Sequence, residues 1–428
     1  MRARAWPSGA TVEPEGAPVP QARRPTAVES AILALRLPSG LPACPGDLLR
    51  PRLHDARGPC SLRLAHPTEG GEAGEAVGLP IPQTAFGIMG RPSPGKKTMV
   101  REKQSGGIRR WWFVLLFVSM VFIIVLLLWV PPRLANLTSH PHPVQSYAEA
   151  VQQIESLRAR EAPEMNPVCR LQFMTHDRQS ERVIVLVHGY TTCPDQFHEF
   201  GRRLYDLGYN VLIAPLPHHG LADRMTVEQA QLKAEELVTY ADGVVDVAQG
   251  LGEQVVMLGI SGGGVTTAWA AQYRSDIDLA VIVSPAFGYH QIPTPLTVPA
   301  GNLYLALPNS FQWWDPSLQT DIEPGYAYPR YSTRALAELL RLGFAVQAAA
   351  QRESPAAASI LVVTNAHDTA VNNVLAAAVV KDWREHEANV ATFEFEAGLQ
   401  LGHDLIDPTL PEAQIDAVYP RLIELIAQ

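Results

Sequence analysis

The sequence predicts an α/β domain, a mostly parallel sheet with helices on both faces, preceded by one transmembrane helix. Three observations carry this. Short β-rich apolar runs alternate with helical patterns beyond Cys169. One long apolar run lies upstream of them. The residues best suited to chemistry each stand just past the end of a strand.

The 428 residues exceed what one core usually holds, so segments outside the domain are expected. Pro and Gly make up more than a quarter of residues 1–98, which read as disordered because they bury too little to offset chain entropy. An alternative is that translation starts at Met89 or Met99 and the upstream stretch is a gene-model extension. From Trp111 to Val130 the only polar residue is Ser119, and at 1.5 Å per residue the run spans about 30 Å, a bilayer's hydrocarbon thickness. Trp111, Trp112 and Trp129 mark its two ends, where amphipathic rings prefer the interface. A cleaved signal peptide fits less well, since its apolar region is usually shorter and no small-x-small site follows closely.

Lys96, Lys97, Arg101, Lys103, Arg109 and Arg110 precede the run, within or beside a basic flank at 99–110, and only Arg133 follows closely. Positive charge stays on the cytoplasmic side, so the rest of the chain is expected outside the cytoplasm. Pro131–Val144 reads as a stiff, extended stalk, and residues 131–166 as stalk plus a linking helix near Ser146–Arg158. The net charge of −9, with no other basic cluster, argues against a nucleic-acid partner.

Strands are expected at Val183–Val187, Val211–Ala214, Val255–Ile260, Leu279–Val283, Ile360–Thr364 and Val390–Phe395, and helices at Phe197–Leu207, Val227–Leu251, Gly264–Tyr273, Val371–Glu387 and Pro411–Ala427. Strands bounded by helices imply parallel pairing, and such sheets bind ligands at the carboxyl ends of their strands.

At that edge, Gly259-Ile260-Ser261-Gly262-Gly263 follows a strand and opens a helix. A sharp strand-to-helix turn exposes a serine hydroxyl, and Gly259 and Gly263 let the chains approach. A serine needs a base to take its proton and a carboxylate to hold that base. His403 and Asp368 each follow a later strand, in the order this architecture requires, which makes Ser261, Asp368 and His403 the candidate catalytic residues. Asp404 is the alternative acid, but a residue adjacent to His403 can hardly face its ring. The N–H groups of Gly262 and of Tyr190, in the turn His188-Gly189-Tyr190, are the candidate oxyanion donors. His188 reads as a packed turn residue. His218 and His219 read as loop-shaping, so no metal and no cofactor are expected.

Together HGY at 188–190, PLPHHG at 215–220, GISGG at 259–263 and the Asp368 and His403 loops resemble the α/β-hydrolase superfamily, most of all its bacterial carboxylesterase and monoacylglycerol-lipase branch. His218 departs from that branch, which more often has Gly there. The resemblance covers residues 167–428 and implies a lid at about 286–343, where Phe311, Trp313, Trp314, Tyr326, Tyr328 and Tyr331 would wall an acyl site or simply form lid core. It implies a small-molecule ester or lipid substrate cleaved through an acyl-enzyme. An aminopeptidase or amidase, with Asp315, Asp321 and Glu323 holding a free amine, is the alternative, and a non-catalytic binding module comes third.

Cys169 and Cys193 either form a disulfide, favoured outside the cytoplasm, or stay as two buried thiols. A bridge would pin the turn that carries Tyr190.

Overall fold

The structure, a computed structural model, describes residues 106–427; the expectations for 1–98 and most of the basic flank lie outside the described residues. The first element, α1 (Gly106–Leu128), is one unbroken helix whose apolar side chains from Trp111 to Leu127 are all exposed. It starts before Trp111 and stops before Val130, because Pro131 and Pro132 forbid continuation and bias the residue ahead of them away from helical backbone.

The segment expected as a stiff, extended stalk lies against the domain. Leu137 and Val144 are buried, and Trp269 Nε1–H donates to Leu137 O at 3.1 Å. Ser139 Oγ–H and the His140 N–H donate to the Asp242 carboxylate at 2.5 and 2.6 Å, and the His142 N–H to Asp246 at 2.9 Å. The prolines keep the segment extended, but apolar side chains between them find the domain surface, so it becomes a strap. Helix α2 (Tyr147–Arg158) follows, capped by Ser146 and burying Ala150 and Ile154. The folded body thus begins well before residue 167.

The main sheet collects β1 (Gln172–Met174), β2 (Ser180–Val187), β3 (Asn210–Ile213), β4 (Gly252–Ile260), β5 (Leu279–Val283), β8 (Ile360–Asn365) and β9 (Val390–Phe395), in the order β1-β3-β2-β4-β5-β8-β9. All neighbours are parallel except β1, a short antiparallel edge absent from the sequence reading. Between β2 and β3 lies α3 (His198–Asp206), between β3 and β4 lies α4 (Ala234–Ala248), and α5 (Gly262–Tyr273) follows β4. The expected helix Val227–Leu251 is shorter, since Glu228–Gln231 forms a 3-10 turn and α4 begins only at Ala234.

After β5 come α6 (Thr297–Ala306), a small hairpin of β6 (Phe311–Trp313) and β7 (Arg330–Ser332), and α7 (Thr333–Ala350). Leu336, Leu339, Leu342 and Val346 of α7 lie in the core, so residues 333–343, expected within the lid, belong to the core instead. Helix α8 (Asn373–Glu385) and α9 (Ile415–Ala427) complete the fold.

Strand alternation divides the interior. Val183, Val185 and Val187 face the core under α4, α5, α7 and α8, whereas Ile184 and Leu186 face the core under α3 and α9. At the end of α5 Arg274 is fully buried and bonds Asp242 at 3.1 Å and Asp246 at 2.7 Å, the same two carboxylates that hold the strap. We expect Arg274→Met to cost about 3–5 kcal/mol, because it strands two buried aspartates. Denaturant unfolding checks this, and a loss under 1 kcal/mol would show that the cluster is dispensable.

Candidate active site

Strand order reverses between β2 and β4, which opens a crevice at their carboxyl ends. Ser261 stands in it, directly between β4 and α5, with φ 57° and ψ −115°. Such backbone is costly for a residue with a Cβ, about 1–3 kcal/mol, and persists only where its surroundings impose it. Here the glycines do so: a Cβ on Gly259 would overlap Gly263 O, and one on Gly263 would overlap Val187 O. The first turn of α5 therefore lies almost on the sheet.

Two donors flank the serine. A Cβ on Gly189 would stand 3.6 Å from Ser261 Cβ, and one on Gly262 would stand 3.3 Å from Tyr190 N. Gly262 therefore packs against the backbone of Tyr190, and neither the Tyr190 N–H nor the Gly262 N–H donates to an acceptor among the described residues. Tyr190's ring is committed elsewhere, its hydroxyl donating to Gln229 Oε1 at 2.5 Å and accepting from the Ser332 N–H at 3.0 Å.

The carboxyl end of β8 supplies Asp368, and the loop after β9 supplies His403. His403 Nδ1–H donates to Asp368 Oδ2 at 2.8 Å, and Asp368 Oδ1 accepts the N–H groups of Ala370 and Val371 at 2.9 and 3.1 Å. Burial pulls the His403 pKa down, but the Asp368 hydrogen bond and charge outweigh it, so the net direction is up. Burial likewise pushes Asp368 up, and His403 with the two N–H groups brings it below the ordinary carboxylate value. Asp368 and His403 are thus brought together. No hydrogen bond joins the His403 ring to Ser261 Oγ in this structure, a contact that often tightens only with substrate.

Asp404 turns away from the ring and accepts Gln196 Nε2–H at 3.0 Å. Gln196 is the residue sequence reasoning missed. Fully buried, it accepts the Gly189 N–H at 2.8 Å and the Thr192 hydroxyl at 2.9 Å, and so ties the Tyr190 turn to the His403 loop. A lone glutamine beside Phe197 carries no motif.

His188 holds structure: Nδ1–H donates to Gly189 O at 2.8 Å, Nε2 accepts the Leu216 N–H at 2.9 Å, and burial lowers its pKa to about 3. His219, lowered by burial to about 4, packs edge-on against Tyr190. His218 pairs with Glu236 at 3.1 Å. Among the described residues no three metal-binding side chains gather.

Cys169 and Cys193 form a disulfide, their Cα atoms 5.2 Å apart, which closes a loop worth about 3 kcal/mol by chain entropy. It fixes the far end of the Tyr190 turn. The insertion after β5 holds the same turn from above, since Trp314 Nε1–H donates to Thr191 Oγ1 at 2.9 Å and the Tyr328 N–H to Thr191 O at 2.8 Å. Tyr326, buried, donates to Asp407, so these aromatics fasten the insertion. Asp315 caps its own turn through Ser317 at 2.7 Å, and Asp321 and Glu323 are exposed.

The model of the serine aminopeptidase S33 family (Hydrolase_4) matches residues 178–395, half of the chain. No curated protein is significantly similar. Among solved structures, one described with the two metagenome-derived lipolytic enzymes LipS and LipT gives 18% identity and a TM-score of 0.46, covering 61% of this chain and 99% of its own. The monoacylglycerol lipase of Paleococcus ferrophilus gives 18% and 0.44, covering 59% and 98%. The monoglyceride lipase of Saccharomyces cerevisiae gives 13% and 0.45, covering 60% and 90%.

The electrostatics of the pair are measurable by themselves. In Asp368→Asn the carboxylate that raises His403 is gone while burial persists, so the His403 titration followed by NMR should move to lower pH. An unchanged or higher pKa would show that Asp368 does not act on the ring.

Proposed function

Because the chain belongs to the serine aminopeptidase S33 family of α/β-hydrolases, we propose that this serine hydrolase is a membrane-anchored esterase working through an acyl-enzyme on Ser261. The observation that carries the reading is the strained turn at Ser261 with two uncommitted N–H groups beside it. That arrangement stabilises a tetrahedral oxyanion by about 3–4 kcal/mol per donor and has no use in a purely structural turn.

Ser261 Oγ attacks the ester carbonyl as its proton passes to His403 Nε2. Asp368 keeps Nδ1–H engaged, which leaves Nε2 unprotonated and stabilises the imidazolium as it forms. The carbonyl oxygen, now negative, accepts from Tyr190 N–H and Gly262 N–H. His403 returns the proton to the leaving alcohol, and a water then repeats the sequence on the acyl-enzyme.

The insertion Ala286–Ser332 acts as the lid, and the substrate class is a small or lipid carboxylic ester such as an acylglycerol. Amide cleavage by the same groups is the second reading, favoured by the family's description. Against it, Asp321 and Glu323 are exposed and Asp315 is engaged by the Ser317 N–H and hydroxyl of its own turn, so none is a desolvated clamp for a free amine. The anchor reading rests on α1, a helix whose mean hydropathy over Arg110–Leu128 is 2.9 and which buries nothing in the protein. The Cys169–Cys193 disulfide and the upstream basic residues support an extracytoplasmic catalytic body.

Ser261→Ala should fold as the native chain does, lose fluorophosphonate labelling and lose about 10³-fold or more in turnover of p-nitrophenyl esters. Activity near native would sink the assignment, and faster cleavage of aminoacyl amides than of esters would transfer the site to the second reading. Since the His403 pKa is raised, the protonated form persists to higher pH, and the acid limb of kcat/KM should fall above 6.5, the ordinary histidine value. A limb below 6.5 would contradict the Asp368 contact.

A further inference from the structure

Between Asp278 and Asp315 the chain carries no Asp, Glu, Lys or Arg, although much of this stretch lies on the surface. Helix α6 sits within it. Thr297 and Gly301 face inward, Gly301 over Phe344. Leu296, Leu303 and Leu307, spaced seven and four residues apart, fall on the opposite face and are 45%, 42% and 47% exposed. A surface helix in water carries polar residues on that face, so an outward apolar stripe requires a cover.

The neighbour says what the cover is. Asn302, on the flank of α6, donates from Nδ2 to Leu128 O at 2.8 Å and to Val130 O at 2.7 Å. Leu128 is the last residue of α1, and its carbonyl is one of those that a helix end leaves without an internal partner. At a bilayer boundary such groups need a donor. The side chain that meets this need belongs to the lid, and it sets α6 level with Trp129, where the anchor leaves the hydrocarbon.

Resting on the reading of α1 as a membrane anchor, we propose that α6 is an interfacial helix. Its Leu296, Leu303 and Leu307 face is bedded in the lipid leaflet beside the anchor's exit, and Asn302 latches it there. The occupant is lipid acyl surface, since Asn302 ties α6 to the end of α1, which itself requires lipid, and no charge interrupts the stripe. The lid is thereby fixed to the membrane, and an ester substrate reaches Ser261 from the leaflet.

The full chain is reconstituted in phosphatidylcholine vesicles doped with a diazirine-bearing phosphatidylcholine, irradiated, and mapped by peptide mass spectrometry. Lipid adducts are expected on α1 and on Leu296–Leu307, and Asn302→Ala should lower the α6 adducts several-fold while leaving those on α1. In Leu303→Asp/Leu307→Asp, turnover of a bilayer-embedded ester should fall at least about tenfold, with a short water-soluble ester unaffected. Adducts confined to α1 would overturn the proposal and leave the anchor intact. Absence of adducts on α1 would remove the anchor reading and this one with it. Cross-links between α6 of two copies would show that a second chain covers the stripe, which also overturns it.

Discussion

The closeness of two backbones governs this site. Helix α5 begins so near β4 and β2 that neither Gly259 nor Gly263 has room for a single additional carbon. That proximity forces Ser261 into its unusual backbone and brings Gly262 against the turn after β2. Sheet pairing on both sides of β4 supplies the stabilisation that the strained residue consumes. Every other part of the site is arranged to meet this one fixed point.

The parts that meet it are secured redundantly. The Tyr190 turn is held by the Cys169–Cys193 disulfide, by Gln196, by Trp314 and by the Gln229–Ser332 contacts to the tyrosine hydroxyl. Gln196 also reaches Asp404, so the loop carrying His403 moves with the turn. On the proposed reading, such preorganisation is what would make the backbone donors effective, because nothing would have to reorient as charge develops.

What the sequence made legible was whatever carries a local signature. The central strands read out as continuous apolar runs because both their faces are buried, and the loops after them carried the chemistry, since chain order and strand ends are visible in one dimension. Edge strand β1 was missed because three half-buried residues have no period to detect. The strap reads from sequence as an extended stalk because its prolines are conspicuous, whereas the partners Asp242, Asp246 and Trp269 lie more than a hundred residues away. Gln196 escaped because its partners are split between two loops, Gly189 and Thr192 in the Tyr190 turn and Asp404 in the His403 loop, 208 residues away.

His188 stands in the Tyr190 turn with His219 packed against both rings, and burial holds both histidines neutral well below physiological pH. A protonated imidazole in either place would set a positive charge behind Tyr190 and change the field at the carbonyl oxygen with every shift in acidity. Kept uncharged, they act as fixed dipoles, with His188 occupied at both ring nitrogens. Neither histidine exchanges protons with solvent over the range in which His403 titrates. Two rings thus serve as scaffold and stay neutral, while the third, His403, is the one paired with a carboxylate and shifted toward its protonated form.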